Sequence, residues 1–152
     1  MQKKVTGGMV DVSGKKITRR CATASARISM TKKALSALRN DRSPKGDVLK
    51  TAQLAGVMAA KSASLIIPLC HPLEINTVRL SFKADARASA ITIRAETVYS
   101  GRTGVEMEAL VAVTVAALTI YDMMKWIDRG MTITDVQLLE KRGGKSGHYK
   151  RK

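Results

Sequence analysis

The sequence is poor in aromatic residues, cysteine and histidine. Its 152 residues include one Phe, one Trp and three Tyr, so few side chains could stack on nucleic-acid bases. The two cysteines, Cys21 and Cys70, are far apart, and the first residues contain no apolar secretion signal. We therefore expect reduced thiols and a cytoplasmic protein. One Cys and one His at 70–71 are too few for a zinc site, and the other His is near the C-terminus, so we expect neither a metal nor a cofactor.

Long hydrophobic runs, repeats and linkers are also missing. The longest apolar stretch, 109–121, is too short to cross a bilayer, which needs about 20 residues, and it predicts a buried helix. Hydrophobic residues make up 45% and charged residues 26%, as in ordinary globular domains. The chain is therefore predicted to form one domain over 1–152, with flexible ends at about 1–8 and 148–152.

Acidic residues are scarce, since 27 Lys and Arg oppose 12 Asp and Glu and give a formal net charge of +15. Residues 1–20 hold six basic side chains and one acid, and residues 141–152 hold six and none. The body between them is nearly balanced. The charge therefore belongs mainly to two terminal segments, which weakens but keeps open the interpretation as a nucleic-acid-binding module.

The apolar periodicity predicts an α+β fold. Four segments alternate as strands do: 15–30, 74–83, 90–99 and 136–139. Three segments have helical apolar faces: one capped by Thr31, one over 47–63 and one over 105–128. Their order predicts a sandwich in which an antiparallel sheet carries helices on one face.

The last predicted helix carries charged side chains at both ends. Glu106 and Glu108 lie in its first turns, where a helix dipole by itself would favour acids. Asp122 and Lys125 are three residues apart and share a face. They form either a surface ion pair or, because they follow a buried run, a partly desolvated pair suited to proton transfer.

The spacing of Glu108 and Asp122 suggests a shared site. At about 100° per residue the two acids fall within roughly 40° on the helix face, yet they are about 21 Å apart along the axis. Antiparallel packing of this helix on a second copy would bring them together. We therefore expect a site at a twofold interface.

Two further segments could carry chemistry. In residues 68–73, two prolines confine Cys70 and His71, and His71 is either a proton carrier or phosphate ligand, or a hydrogen-bonded structural histidine. Lys45 precedes the second helix, whose N-terminus could meet an anion. The Gly-rich stretch 141–147 contains Lys141 and Lys145 and is either a phosphate-binding loop or a flexible tail.

Six short stretches, in one order from residue 9 to 147, together resemble the MoaC family of cyclic pyranopterin monophosphate synthases in molybdenum cofactor biosynthesis. They are 9–13 (MVDVS), 45–48 (KGDV), 67–73 (IPLCHPL), 103–110 (TGVEMEAL), 116–123 (AALTIYDM) and 143–147 (GGKSG). The resemblance implies a ferredoxin-like subunit, a homohexamer built as a trimer of dimers, and a site at the dimer interface. It also implies conversion of 3′,8-cyclo-7,8-dihydroguanosine 5′-triphosphate to cyclic pyranopterin monophosphate, with loss of diphosphate.

The resemblance also assigns roles to individual residues. It implies catalytic roles for three: Asp122, Lys125 and Lys45. It implies substrate-binding roles for eight: His71, Cys70, Glu106, Met107, Glu108, Arg20, Lys141 and Lys145. The chain has Met124 where the family often has cysteine, which removes a thiol but keeps the Asp–Lys pair. Besides the nucleic-acid module, a non-catalytic assembly protein of the same fold stays open as an alternative, and neither nucleic acid nor membrane is an expected partner.

Overall fold

A computed structural model describes residues 7–152; residues 1–6, most of the end predicted to be flexible, lie outside the described residues. The elements in chain order are β1 (Thr18–Ser29), α1 (Lys32–Arg39), α2 (Val48–Lys61), α3 (Ala63–Ile66), β2 (Thr77–Asp85), β3 (Ala90–Gly101), α4 (Glu106–Met124), β4 (Thr132–Arg142) and β5 (Tyr149–Lys150).

The strands form one antiparallel sheet in the order β2-β3-β1-β4-β5. The central strand β1 pairs with β3 on one side and β4 on the other, so Ala24 stands opposite both Ala95 and Leu138. Helix α4 packs on β1, β3 and β4, and α2 packs against α4. The predicted α+β, ferredoxin-like sandwich is confirmed.

Small side chains let the helices approach the sheet closely. Alternate residues of β1, including Ala22, Ala24 and Ala26, are buried under α4, as period-two alternation requires. Gly56 of α2 has the same effect, because a Cβ there would lie 2.4 Å from the Leu80 side chain. The core therefore depends on small side chains that let the backbones of helices and strands pack closely, and not on large aromatic side chains.

Several predicted boundaries were wrong. Helix 105–128 ends at Met124, helix 47–63 divides into α2 and α3, and strand 136–139 extends over the whole of β4. The two-residue strand β5 was not expected at all, and it pairs with Glu140 and Lys141 from within the segment 148–152. The two strand differences share a cause, since strand pairing depends on a distant partner that local periodicity does not reveal.

Helix α4 is the one described helix long and apolar enough to cross a membrane by length and composition. Ten of its residues are buried in this domain, among them Ala109, Ala112, Ala116 and Ile120. Packing against the sheet and α2 therefore accounts for its apolar sequence.

Candidate active site

The carboxylate of Asp122, in the last turn of α4, is held between two lysine side chains. Lys45 donates to Asp122 Oδ2, and Lys125 Nζ lies 2.8 Å from Asp122 Oδ1. Hydrogen bonds from Lys125 and then Lys45 lower the pKa of Asp122 to about 2, so the group is ionised at neutral pH. We call these three residues the lysine–aspartate cluster.

The expected pair of Asp122 and Lys125 is present, but its surroundings are open. The side chains of Asp122, Lys125 and Lys45 are 49%, 52% and 51% exposed. Within residues 7–152, Asp122 and Lys125 therefore form a surface ion pair and not a desolvated one. Desolvation of the pair would require bound substrate or a second copy of the chain.

The turn between α1 and α2 brings Lys45 to the cluster. Ser43 is buried, and its Oγ donates to the Met123 carbonyl at 2.9 Å, which ties the turn to the end of α4. The Lys45 backbone N–H donates to the same Oγ at 3.3 Å. Gly46 then turns the chain into α2 with a φ of +94°, which glycine adopts readily.

The N-terminus of α2 carries its own cap. The Asp47 side chain accepts from the Lys50 backbone N–H at 3.0 Å, and this bond lowers the pKa of Asp47. The Lys45 side chain contacts Asp122 at the end of α4, and an anion site at the start of α2 stays a prediction.

A cleft of about 450 Å³ lies at the other end of α4. Its lining includes five predicted site residues: Cys70, His71, Glu106, Met107 and Glu108. His71 Nε2 lies 2.9 Å from the Val10 carbonyl, which can only accept, so this nitrogen carries the hydrogen. The structure thus gives His71 a structural hydrogen bond while its ring still lines the cleft.

Glu108 is the most deeply buried carboxylate of the site. The residue is 2% exposed, and its Oε2 has no hydrogen-bond partner among the described residues. Burial, with a smaller contribution from the Glu106 carboxylate, raises the pKa of Glu108. The Cys70 thiol lies 3.7 Å from Oε1 and donates to it, and burial together with Glu108 raises the pKa of that thiol. One polar atom, Glu108 Oε2, is therefore left for a partner from outside the described residues.

Lys141 connects the start of α4 to the Gly-rich loop. Its Nζ lies 3.1 Å from Glu106 Oε1 and donates to Ser146 Oγ at 2.7 Å. Lys145, on the same loop, is exposed. Lys141 thus joins the loop to the start of α4, and phosphate binding by this loop stays a prediction.

Arg20 is buried at the same end, near the start of β1. Its Nε donates to the Gly101 carbonyl at 3.0 Å, and its Nη2 to the Arg102 carbonyl at 3.2 Å. These carbonyls stand at the end of β3, just before the loop into α4. Arg20 therefore has a structural role, through its hydrogen bonds to two backbone carbonyls, besides the substrate-binding role that was predicted for it.

The predicted residues consequently fall into two groups at opposite ends of α4. The lysine–aspartate cluster lies at the C-terminal end. Eight residues surround the N-terminal end: Arg20, Cys70, His71, Glu106, Met107, Glu108, Lys141 and Lys145. From Glu108 to Asp122 the helix rises about 21 Å, so one chain does not bring the groups together.

Sequence analysis missed the residues that support the site. Ser43 is one of these residues: its hydroxyl anchors Lys45 to α4, and no motif marks it in the sequence. Thr97 is fully buried, and its hydroxyl donates at 3.0 Å to the Val105 carbonyl just before α4. A buried threonine in a strand reads as an ordinary β-branched residue, so no local signal marks it.

No group of three or more His, Cys, Asp or Glu side chains in the described part of the chain could hold a metal ion. The absence of a metal from the reaction stays a prediction.

One family model and several known proteins are similar to this chain over most of its length. The family model described as MoaC family matches residues 9–144. The chain is 49% identical over 152 residues to a Parvibaculum lavamentivorans protein named cyclic pyranopterin monophosphate synthase, covering 100% of this chain and 95% of the relative. Proteins of that name from Syntrophomonas wolfei and Desulforapulum autotrophicum are 53% identical over 143 residues and 54% identical over 141. The alignments cover 94% of this chain and 91% of the first protein, and 93% of this chain and 86% of the second. With its fold, its site and this match over most of its length, the chain belongs to the MoaC family.

Proposed function

We propose that this protein is a cyclic pyranopterin monophosphate synthase. It converts 3′,8-cyclo-7,8-dihydroguanosine 5′-triphosphate to cyclic pyranopterin monophosphate and diphosphate. Relatives of about 50% identity carry that name, and the six motifs stand in the same chain. The observation that carries the mechanism is the Asp122 carboxylate held between two lysine ammonium groups.

The lysine–aspartate cluster supplies proton transfer. Opening the guanine-derived ring and rebuilding it as a pterin requires groups that give protons and a group that takes them. Asp122 is ionised at neutral pH and can accept a proton, whereas Lys45 and Lys125 each carry one to donate. Two cations also stabilise negative charge on a departing diphosphate.

The cleft at the start of α4 binds the substrate. We assign the purine-derived part to the five cleft residues, where Glu108 offers the unpartnered Oε2. We assign the triphosphate to the cations at this end of α4, Arg20, Lys141 and Lys145, with His71, and to Lys45 from the cluster of a second copy of the chain. A polyphosphate needs several positive groups, and the two ends of α4 would supply them together in a shared site.

Two copies of the chain complete one site. The outer face of the helices exposes large apolar side chains, with Leu118 of α4 53% and Leu65 of α3 86% exposed. Exposed apolar patches of this kind mark association surfaces. An antiparallel twofold pairing of α4 would place the Asp122 of one chain near the Glu108 of another. We propose that three such dimers form a homohexamer in the cytoplasm, without nucleic-acid or membrane partners.

The assay for function is incubation of the purified protein with the cyclic dihydroguanosine triphosphate, followed by detection of the pterin and diphosphate. Product is expected, and both Lys125→Ala and Asp122→Asn should abolish it. Lys50→Ala removes an exposed lysine that pairs only with Asp47 at 3.3 Å, and it should retain wild-type turnover. Salt-sensitive binding to random oligonucleotides without product would overturn the proposal.

Subunit complementation tests the shared site. Asp122→Asn and Glu108→Gln chains are each expected to be inactive, but co-expressed together they should recover up to about a quarter of wild-type turnover, because random pairing leaves that share of shared sites intact. A mixture with no recovered activity, in assemblies shown to contain both chains, would place the complete site within one chain.

A further inference from the structure

The Gly-rich loop after β4 is packed directly on Arg20. A Cβ at Gly144 would lie 2.2 Å from Arg20 Nη1, and a Cβ at Gly143 would lie 2.3 Å from the Arg19 carbonyl oxygen. Both glycines have positive φ angles, +92° at Gly143 and +79° at Gly144. Any other residue at Gly144 would therefore press on the guanidinium as well as strain the backbone.

The opposite side of the same guanidinium binds the segment that leads into α4. Arg20 donates from two different nitrogens to two successive carbonyls, Gly101 and Arg102. These bonds use the planar, divergent N–H groups of arginine, a geometry that a lysine ammonium does not reproduce. Arg20 thus stands between the Gly-rich loop and the entry to α4 and contacts both.

A second connection joins the same two segments. Lys141 bridges Glu106 in the first turn of α4 and Ser146 in the loop. The loop that carries Lys145 is therefore attached to the start of α4 at two points before any substrate binds. Such preorganisation lowers the entropic cost of binding.

From these contacts we infer that Arg20 is a positioning residue, which holds the Gly143–Gly147 loop against the start of α4 and so sets Lys145 relative to the Glu108 cleft. The role depends on the shape of the guanidinium and its two carbonyl bonds, and it is additional to the phosphate contact assigned above. It rests on the proposed active site, because the loop matters to the reaction only if Lys145 meets the substrate.

The first test uses the intact, substrate-free protein. Arg20→Lys keeps the positive charge but loses the two divergent N–H donors of the guanidinium. Gly144→Ala leaves Arg20 in the sequence, but the added methyl group displaces its guanidinium. Both should speed amide hydrogen exchange in residues 143–147 by about tenfold or more, as expected when a local opening becomes easier. Gly147→Ala is the matched control, because its φ of +69° brings similar backbone strain but nothing lies within 4 Å of the added Cβ.

The second test separates positioning from general damage. Arg20→Lys and Gly144→Ala should raise the KM for the cyclic triphosphate about tenfold or more and lower kcat much less, because the chemistry at the lysine–aspartate cluster is untouched. If Arg20→Lys fails to assemble, the comparison of Gly144→Ala with Gly147→Ala decides the question.

Wild-type exchange rates in Arg20→Lys, or equal effects of the two glycine variants, would overturn the inference. The proposed function fails separately: a wild-type protein that forms no pterin product would overturn it, whatever the exchange rates show. Unchanged KM and turnover in Lys145→Ala would overturn the inference alone, because the loop would then not position a group that meets the substrate.

Discussion

Replacing Glu108 by glutamine should make the folded protein more stable at neutral pH. The folded chain buries this carboxyl and leaves its Oε2 without a partner, whereas the unfolded chain exposes it to water. Burial raises the pKa of Glu108, so the folded state holds the proton to a higher pH than the unfolded state. The contribution of Glu108 to the free energy of unfolding is therefore fully present below pH 4.5, the ordinary pKa of a glutamate. It decreases as the pH rises above that value.

The size of the effect has a ceiling. Keeping the carboxyl protonated at pH 7, against its ordinary value of 4.5, costs at most about 3 kcal/mol. Leaving one buried polar oxygen unsatisfied costs about 1–3 kcal/mol, a figure of the same size. Glu108→Gln removes the ionisation but keeps a polar atom at the unpartnered position, so it should raise the free energy of unfolding at pH 7 by no more than the ceiling of about 3 kcal/mol. The gain should disappear near pH 4.5.

Urea denaturation at both pH values, with a fixed protein concentration, measures this difference. Glu106→Gln is the matched control on the same helix turn, because Glu106 has a partner in Lys141 at 3.1 Å. It should bring no gain at pH 7. The Glu108→Gln protein should nevertheless lose turnover, since the group that is costly to bury is the one that we assign to the substrate.

One outcome would refute this reasoning. If Glu108→Gln is less stable than the wild type at pH 7, then Glu108 is an ionised, paired carboxylate in the assembled protein. The cation would then come from outside residues 7–152 of the same chain, such as a second copy of the chain.

Three other predictions concern the groups around α4. With its pKa at about 2, Asp122 should contribute no acidic limb to the pH profile of kcat/KM between pH 5 and 9, and Asp122→Asn should be inactive across that whole range. Thr97→Val removes the hydrogen bond to Val105 and should cost about 1–2 kcal/mol in urea denaturation, whereas Thr92→Val on the same strand should cost much less. Ser43→Ala should lower kcat/KM several-fold while changing the unfolding free energy by no more than about 1.5 kcal/mol, because its hydroxyl orients a turn at the surface.

The fold was largely predictable because its core is patterned locally. Alternation in β1 and the apolar run of α4 each follow from the period of one element, and the structure keeps both. The short strand β5 and the full length of β4 were not predictable from periodicity. Their backbone groups are satisfied by pairing, Tyr149 with Lys141 for example, and pairing depends on what lies alongside.

The residues of the candidate site were predicted from motifs, and the division of these residues between the two ends of α4 was predicted from helix geometry. Helix geometry alone separates Glu108 from Asp122 by about 21 Å, so the idea of a shared site came from spacing. The support for each group was invisible in the sequence. The Ser43 hydroxyl on the end of α4 is a contact between residues 80 positions apart.

The sequence by itself determined the contacts that a single helix turn creates. The i,i+3 pairing of Asp122 with Lys125 follows from 3.6 residues per turn, wherever the helix lies. Only the tertiary structure decided that Lys45 joins them across 77 positions, and that Gly144 closes on Arg20. The physical reason is that a helical repeat is a property of the local backbone, whereas these later contacts exist only after strand order and helix packing have brought distant segments together.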